Sequence, residues 1–396
     1  MTPISEALEI IRREVFRLES ERVVLAETGG RILTEEIRAD MDLPPFDRSQ
    51  MDGFAVKTDD VRNAPVSLRI AGESAAGRGW SGTLQSGEAV RIMTGAPVPA
   101  GADSVQKVEL TEEENGFIKI LKPTATDQNI VRKGAEMKAD QSVFGPGELI
   151  TDNMIATLAS FGYQSVSVSR RPKVSILATG SEIVEIGDTP GADQIRNSNS
   201  AMLAAFAGRL ADVTVLPIAR DDLENLKKTV REAIRSCDLL VISGGVSVGD
   251  YDFTKPALRE IGADVFFERV SLKPGKPTVF ARRADTLIFG LPGNPVSIAV
   301  TFFVFVRMAL LEMQNAAITG LKKGFARLTH PIKATRERDA LLPVSLETDE
   351  AGHLTIETLR FSGSSNFIAF ARANGLVFVP RNKDLEKGEV AKIYFL

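Results

Sequence analysis

Two glycine-rich segments in the middle of the chain each follow an apolar stretch. The first is Ser243–Asp252 (SGGVSVGDYD), after the run DLLVIS, and the second is Gly290–Pro295 (GLPGNP), after Thr286–Phe289. Ligands of open α/β sheets bind beyond the carboxyl ends of the strands, where glycine lets backbone N–H groups approach an anion. Either segment alone is more simply a tight turn. Two such segments at one edge of a sheet predict a shared binding crevice.

Charged side chains accompany these segments. Asp250 and Asp252 lie in the first one, and two carboxylates in one loop suit a divalent cation that bridges to an anion. The string KPGKP holds Lys273 and Lys276 at a spacing that proline and glycine fix. Lysines usually mark a solvated surface. Rigidly placed ammonium groups, however, suit an oxyanion or a phosphate.

Two further loops of the same region contribute carboxylates. Glu182 follows the apolar run KVSILA, and Asp221 and Asp222 follow DVTVLPI. Asp222 is equally well the N-cap of the next helix. Acids, lysines and glycine-lined backbone together predict Mg²⁺-assisted chemistry on a nucleotide or an oxyanion.

The counts of reactive residues exclude several other chemistries. The chain has two histidines, His330 and His353, and one cysteine, Cys237, so neither a Cys/His zinc site nor an internal disulfide can form. No histidine lies in these loops, which excludes a Ser-His-Asp triad, and no GxxxxGK[ST] string marks a P-loop. The net charge of −4 argues against general nucleic-acid binding.

The hydrophobic pattern divides the 396 residues into four predicted domains. Residues 1–39 and 141–170 form an N-terminal linker or dimerisation domain around a β-rich insertion at 40–140. Residues 171–318 alternate apolar strands with helices, and residues 319–396 return to short strands. The predicted fold class is therefore multidomain α/β plus β. It has a doubly wound parallel α/β domain, a β-rich inserted domain and a small C-terminal β domain.

The ends and the apolar runs of the chain bear on its location. Thr2 is the predicted N-cap, and Pro3 the first residue, of a helix with an apolar stripe at Ile4, Leu8, Ile11, Val15 and Leu18. The stripe covers either its own domain or a second subunit. The N-terminus has no signal-peptide pattern, and the longest apolar run, nine residues at Ile298–Val306, is too short to span a bilayer. These features predict a cytoplasmic protein without a membrane partner.

Six strings occur in a fixed order along the chain: SQMDGFAV, RIMTGAPVP, ATGSEI, SGGVSVGDYD, LKPGKP and GLPGNP. With them the chain resembles the molybdopterin molybdenumtransferase (molybdenum insertase) family, whose eukaryotic relatives include the insertase part of gephyrin. The resemblance implies the last step of molybdenum cofactor biosynthesis, in which molybdate enters adenylylated molybdopterin and AMP is released. It also implies Mg²⁺ as cofactor, a homodimer, and contact with molybdopterin adenylyltransferase.

The resemblance assigns roles by position. The implied catalytic residues are Asp52, Thr94, Glu182, Asp221, Asp252, Lys273 and Lys276. The implied substrate-binding residues are Gly244, Gly245, Ser247, Gly249, Asp250, Pro292, Gly293, Pro295, Ser364 and Glu136. The implied magnesium ligands are Glu182, Asp222 and Asp252.

Three positions depart from the family pattern. Glu136 stands where an aspartate is frequent, Asn197 also replaces an aspartate, and Ser362 replaces a glutamine. Two other functions stay open on the sequence. One is a molybdopterin-binding scaffold without turnover, and the retained acids and lysines argue against it. The other is a molybdopterin adenylyltransferase, a reaction that does not obviously need the β-rich insertion or the C-terminal domain.

Overall fold

The computed structural model describes residues 1–246, 252–359, 363 and 365–396. Contacts within the chain divide it into two units. The larger unit comprises Met1–Glu35, Pro146–Ile155 and Ser165–Leu396, and the smaller unit comprises Glu36–Gly145 and Ala156–Gln164. The four-domain division stays a prediction.

The first helix, α1 (Ile4–Glu14), begins one residue later than the sequence predicts. The predicted Thr2 cap is wrong, because Pro3 occupies the N-cap position and the Thr2 backbone N–H donates to the Arg269 carbonyl at 2.9 Å. Ala7 and Ile11 are buried in the core of the larger unit, and the rest of the stripe packs partly against that core. The stripe therefore covers its own unit. The strand β1 (Ser20–Val24) follows α1.

The smaller unit is mostly β-structure. Its main sheet has six strands in the order β7-β4-β6-β5-β9-β8, and small pairs join β3 with β10 and β2 with β11. Alternating residues of the sheet bury two apolar clusters, which contain Phe54 and Leu68 in one and Val90 and Ile92 in the other. The elements are β2 (Ile37–Arg38), β3 (Arg48–Ser49), β4 (Gly53–Val56), α2 (Thr58–Val61), β5 (Val66–Ser74), β6 (Glu88–Ile92), β7 (Ser104–Lys107), β8 (Thr111–Glu114), β9 (Phe117–Ile120), β10 (Ile130–Val131) and β11 (Ser142–Phe144).

The next stretch of chain contains α3, which begins in the larger unit and continues in the smaller one, and then the strands and helices of the larger unit, including its α/β sheet. The elements are α3 (Asp152–Ser160), β12 (Ser165–Ser169), β13 (Lys173–Ala178), β14 (Ile183–Val184), β15 (Ile195–Arg196), α4 (Ser198–Ala207), β16 (Asp212–Val215), α5 (Leu223–Ala233), β17 (Leu239–Ser243), α6 (Thr254–Glu260), β18 (Asp264–Phe267), β19 (Leu272–Lys273), β20 (Val279–Arg283), β21 (Thr286–Leu291), α7 (Pro295–Thr301) and α8 (Arg307–Met313).

The sheet order is β16-β13-β17-β21-β20-β18. The first four strands are parallel, but β20 and β18 run antiparallel at the other edge, so the sheet is mixed rather than wholly parallel. One face packs with α4, α7 and α8 and the other with α5 and α6, as in a doubly wound sheet. The carboxyl ends of β13, β17 and β21 meet at one edge, which brings the glycine segments together.

One helical stretch of the described chain, Pro295–Met313, is long and apolar enough to cross a membrane. The apolar run Ile298–Val306 is only its middle, because a π-helical turn at Phe302–Val306 joins α7 to α8. Within its most apolar window, however, 78% lies buried inside the protein, as is typical of a core helix.

The C-terminal residues form a second sheet around their own core. The elements are β22 (Lys323–Leu328), β23 (Asp339–Thr348), β24 (Leu354–Thr358), α9 (Phe367–Phe370), β25 (Gly375–Val379) and β26 (Val390–Phe395). Pairing of β23 with β25 closes β23-β24-β22-β26-β25 into a barrel. The short strand β19, which carries Lys273, pairs with β23 outside this ring. The lysine segment is therefore held by the C-terminal sheet as well as by the α/β sheet.

Candidate active site

A cavity of about 610 Å³ lies beside the lysine segment. Lys273, Lys276 and Pro292 line it, so the segments KPGKP and GLPGNP do meet. Lys333 also lines it, but the Lys333 ammonium is paired with Asp384 at 2.7 Å. Among the described residues no carboxylate lines this cavity, and Lys273 and Lys276 form no ion pair. The cavity therefore presents positive charge that the described part of the chain does not neutralise.

Arg338 is a fourth cation of this cavity, and it is not among the residues predicted from the sequence. Its Nη1 donates to the Leu272 carbonyl at 3.1 Å, beside Lys273. Its Nε is buried and has no hydrogen-bond partner among the described residues. A guanidinium presents several donors in a fixed plane, which suits an oxyanion better than a single ammonium does. No local pattern reveals Arg338, because only the pairing of β19 with β23 brings it near the lysines.

A second cavity in the larger unit is acidic. It is lined by Glu182, Asp193 and Asp221, together with Ser181 and neighbouring polar residues. The Ser181 backbone N–H donates to Asp221 Oδ2 at 2.9 Å, which fixes this carboxylate beside the ATGSEI segment. The bridge between Thr179 and Ala219 aligns the two loops. The structure thus places Glu182 and Asp221 around one hollow.

Asp222 caps a helix in the structure. Its Oδ1 accepts from the Glu224 N–H at 2.8 Å and the Asn225 N–H at 3.3 Å, so it caps α5. Of the two roles that the sequence left equally open, the geometry favours the cap. Asp252 is half-buried and stands two residues before α6.

A magnesium ion can still be accommodated at the acidic hollow. Among the described residues no group of three His, Cys, Asp or Glu side chains could hold a metal ion. Mg²⁺ is commonly bound through only one or two carboxylates, with waters and substrate phosphates as its other ligands. Glu182 and Asp221 fit that pattern. A preformed cage of three carboxylates is not present among the described residues.

The Gly244–Gly245 turn is shaped by its protein neighbours. Both glycines have positive φ, at 96° and 62°. A Cβ on Gly244 would lie 2.7 Å from the Thr179 carbonyl oxygen, and one on Gly245 would lie 2.8 Å from Thr254 Oγ1. Close packing therefore already requires both glycines, whatever ligand the turn also binds. Ser247, Gly249, Asp250, Ser362 and Ser364 lie outside the described residues.

The GLPGNP segment is tied to the start of α4. Asn199 Nδ2 donates to the Gly293 carbonyl at 2.7 Å, and Asn197 caps α4 by accepting from the Ser200 N–H. A Cβ on Gly293 would lie 3.9 Å from Gly244 Cα, so the two glycine segments are neighbours as predicted. Pro295 is the first residue of α7, where proline's missing N–H costs no helical hydrogen bond.

The smaller unit contains its own pair of predicted site residues. Asp52 Oδ1 accepts from the Thr94 N–H at 2.7 Å and from Thr94 Oγ1 at 2.9 Å. These two hydrogen bonds hold the pKa of the Asp52 carboxyl below its usual value, so it is ionised at neutral pH. Glu136 instead pairs with Arg48 at 3.1 Å. Asp52 and Thr94 thus form one constellation, separate from the ion pair of Glu136.

Family models match nearly the whole chain in three consecutive parts. Residues 2–162 match the MoeA N-terminal region (domain I and II). Residues 175–312 match the model described as a probable molybdopterin binding domain, and residues 326–396 match the MoeA C-terminal region (domain IV). The fold and the site define a multidomain protein built around an α/β domain of the molybdopterin-binding type. The predicted fold class is thereby confirmed.

Whole-length relatives agree. A molybdopterin molybdenumtransferase of Bacillus subtilis is 35% identical over 412 aligned positions, which cover 100% of this chain and 94% of the relative. One of Staphylococcus aureus is 33% identical, covering 96% of this chain and 91% of the relative. A molybdopterin biosynthesis MoeA structure from Pyrococcus horikoshii has a TM-score of 0.87 at 27% identity and covers 100% of both chains. The chain belongs to the molybdopterin molybdenumtransferase family, which confirms the resemblance drawn from its motifs.

Proposed function

We propose that this chain inserts molybdenum from molybdate into adenylylated molybdopterin and releases AMP. Membership of its family makes it a molybdenum transferase of molybdenum cofactor biosynthesis. The reaction requires a site for the molybdate oxyanion. The adenylylated substrate and the released AMP require a site for a cation bound to phosphate.

The basic cavity is the observation that carries the proposal. Molybdate is a tetrahedral dianion, and Lys273, Lys276 and Arg338 line one hollow without a neutralising carboxylate among the described residues. Arg338 Nε is a buried donor without a partner in the described part of the chain, and a buried donor left unpaired costs about 1–3 kcal/mol. An oxyanion ligand would supply the missing acceptors and compensate the positive charge. These residues would bind and orient molybdate for attack by the sulfur atoms of the pterin substrate.

Magnesium is proposed as the cofactor of this reaction. When bound, Mg²⁺ would neutralise phosphate charge on the leaving AMP. Glu182 and Asp221 would hold it, with substrate oxygens and waters as further ligands. Asp252, at the glycine segment, would act on the same phosphate group. We expect Asp252→Asn to fold normally and to lose most activity, and near-normal AMP release by a stable variant would contradict its role.

The direct test is to incubate the pure protein with adenylylated molybdopterin, Mg²⁺ and molybdate, and to follow AMP. Molybdate-dependent AMP release is the expected result. Binding of the pterin without any AMP release would indicate a scaffold instead. Formation of adenylylated molybdopterin from molybdopterin and ATP would indicate an adenylyltransferase.

A homodimer with shared active sites is part of the proposal. Asp52 belongs to the smaller unit and Asp252 to the larger one, and a two-fold dimer can draw them from different subunits into one site. Asp52→Ala and Asp252→Ala homodimers should then be nearly inactive. Mixing them at equal amounts gives about half mixed dimers, each with one intact site, and so about a quarter of wild-type activity. Verified subunit exchange without recovery would reject the shared site.

The remaining expectations concern the setting of the reaction. A cytoplasmic location and contact with molybdopterin adenylyltransferase, which would hand over the adenylylated substrate, complete the proposed function. Co-purification of the two proteins at low salt would support the contact.

A further inference from the structure

The outside of the C-terminal barrel carries apolar side chains at positions where a solvated sheet face normally has polar ones. Along β22, Ala326 and Leu328 are buried in the barrel core, so the alternating residues Phe325 and Arg327 face outward. Phe325 is 69% exposed, and Val390 on β26 is 56% exposed. Outward positions of an antiparallel sheet are usually polar. The packing of the barrel itself therefore does not account for these two side chains.

The strand register joins them into one face. β22 pairs antiparallel with β26, with Arg327 opposite Val390 and Phe325 opposite Lys392. Residues directly opposite each other share a face of the sheet, as do residues two apart along one strand. Phe325 and Val390 are therefore diagonal neighbours. The β22–β26 face comprises Lys323, Phe325, Arg327, Val390 and Lys392.

The three cations of the β22–β26 face are not neutralised by the described part of the chain. The carboxylate pairs among the described C-terminal residues are His330–Glu357, Lys333–Asp384, His353–Asp349 and Lys383–Glu389. None of them includes Lys323, Arg327 or Lys392. An aromatic residue and an arginine in an apolar centre with a charged rim are typical of protein interfaces. Carboxylates of a partner protein would complement this charge.

The β22–β26 face lies close to the basic cavity along the chain. Pro331 and Lys333 line that cavity, and only three residues separate Pro331 from Arg327. Their Cα atoms are therefore at most about 14 Å apart. A hollow of about 400 Å³, lined by Arg327 and His330 among others, lies in the same stretch and can seat a side chain of a partner. A protein bound to this face would reach the surroundings of the basic cavity.

We propose that the β22–β26 face docks the protein that supplies the adenylylated substrate, through a segment whose carboxylates flank an apolar side chain. The inference rests on the proposed contact with molybdopterin adenylyltransferase and assigns that contact to a surface. The apolar side chain of the partner would cover Phe325 and Val390, and its carboxylates would pair with the three cations. The substrate would then be released beside the cavity proposed for molybdate.

A direct binding measurement tests the apolar centre. The full-length protein is titrated against purified molybdopterin adenylyltransferase of the same organism by biolayer interferometry at about 50 mM salt, where charge pairs are weakly screened. Phe325→Ser should weaken the affinity at least about tenfold, because exposed aromatic side chains that become buried dominate interface energies. Phe117→Ser is the matched control, since Phe117 is 49% exposed on β9 of the smaller unit. It should leave the affinity within about twofold of wild type.

Arg327 tests whether the partner contributes carboxylates. At about 50 mM salt, Arg327→Gln should weaken binding about threefold and Arg327→Glu at least about tenfold. Both losses should shrink at about 500 mM salt, because salt screens charges at an exposed rim. Losses that are equal at the two salt concentrations would overturn the carboxylate assignment.

The failure of the docking face and the failure of the proposed function give different results. Supplied with free adenylylated molybdopterin, all these variants should release AMP like the wild type, because none of the residues is assigned to the reaction. Absence of wild-type binding, or equal binding by Phe325→Ser and Phe117→Ser, would overturn the docking face. A change in the oligomeric state of Phe325→Ser alone, measured by sedimentation, would overturn it in favour of a contact between two copies of this chain. Failure of the wild type to release AMP from the free substrate would instead overturn the proposed function and leave the binding result standing.

Discussion

The larger unit has two cavities of similar size and opposite charge. The one of about 610 Å³ is lined by Lys273, Lys276 and Arg338, and the one of about 660 Å³ by Glu182, Asp193 and Asp221. The described residues include no acid in the lining of the first and no lysine or arginine in that of the second. Under the proposed function, an oxyanion would neutralise the charge of the first cavity and a cation that of the second.

The two cavities also differ in how they are held. Both lie beyond strands of the α/β sheet, but the basic one is closed by the C-terminal sheet, through β19, β23 and the Arg338 contact to Leu272. The acidic one is built from two loops that follow neighbouring parallel strands, β13 and β16. The proposed oxyanion site therefore depends on a long-range strand pairing, and the proposed cation site depends on the α/β sheet alone.

Neutralising both lysines should give the largest effect. Lys273→Gln combined with Lys276→Gln removes two positive charges from the basic cavity, and we expect the molybdate concentration for half-maximal AMP release to rise at least about 100-fold. Mg²⁺ dependence should stay unchanged. Lys387→Gln, at an exposed lysine outside this cavity, is the control. An unaltered molybdate dependence in the double variant would mean that both lysines are ordinary solvated surface residues.

Asp238 tests whether charge outside the cavities matters. It lies at the opposite end of β17 from the glycine segment, and its carboxylate accepts two hydrogen bonds from Arg170 and one from the Lys173 N–H. Burial alone would raise its pKa, but these donors outweigh burial and hold the pKa below its usual value. Asp238→Asn should cost about 2 kcal/mol of stability and change neither molybdate nor Mg²⁺ dependence.

The pH dependence of the stability lost in Asp238→Asn follows from the lowered pKa of Asp238. A carboxyl whose pKa is lowered on folding stabilises the protein fully above its unfolded-state pKa, which is about 3.9. The stabilisation is lost as the pH falls through the lower, folded-state pKa. Unfolding curves of wild type and Asp238→Asn should therefore stay apart between about pH 8 and 5 and converge below about pH 4. A gap that widens on acidification would contradict this account.

The acidic cavity should respond to Mg²⁺ rather than to molybdate. Glu182→Gln and Asp221→Asn each remove one charge from the pair assigned to the cation. We expect the Mg²⁺ concentration for half-maximal activity to rise about tenfold, with molybdate dependence unchanged. Asp212→Asn, in the same unit but outside the cavity, supplies the control. A rise in the molybdate requirement instead would mean that the two cavities are not chemically separate.

The sequence predicted Glu182 and Asp221 of the acidic cavity but not Asp193, and it predicted Lys273 and Lys276 of the basic cavity but not Arg338. Glu182 and Asp221 sit directly after apolar strands, so local pattern places them at the same sheet edge. Arg338 escaped because it joins the lysines only through the pairing of β19 with β23, and no local signal encodes that register. The antiparallel edge formed by β20 and β18 was missed for the same reason, since an apolar strand does not reveal its direction. The predicted Thr2 cap was wrong because the Thr2 backbone pairs with the distant segment at Val270, and the helix begins only after Pro3.

Substitution of Asp222 should give the smallest effect, and it tests whether the acidic site includes this residue. Its carboxylate already accepts two N–H groups at the start of α5, and asparagine can accept the same hydrogen bonds. Asp222→Asn should therefore preserve stability, whereas Asp222→Ala should lose about 1 kcal/mol in denaturant unfolding. If Asp222 only caps the helix, both variants keep the wild-type Mg²⁺ dependence when assayed well below their melting temperatures. A tenfold weaker response to Mg²⁺ in the stable Asp222→Asn variant would show that this carboxylate also serves the cation, and the acidic site would then extend beyond Glu182 and Asp221 to the first turn of α5.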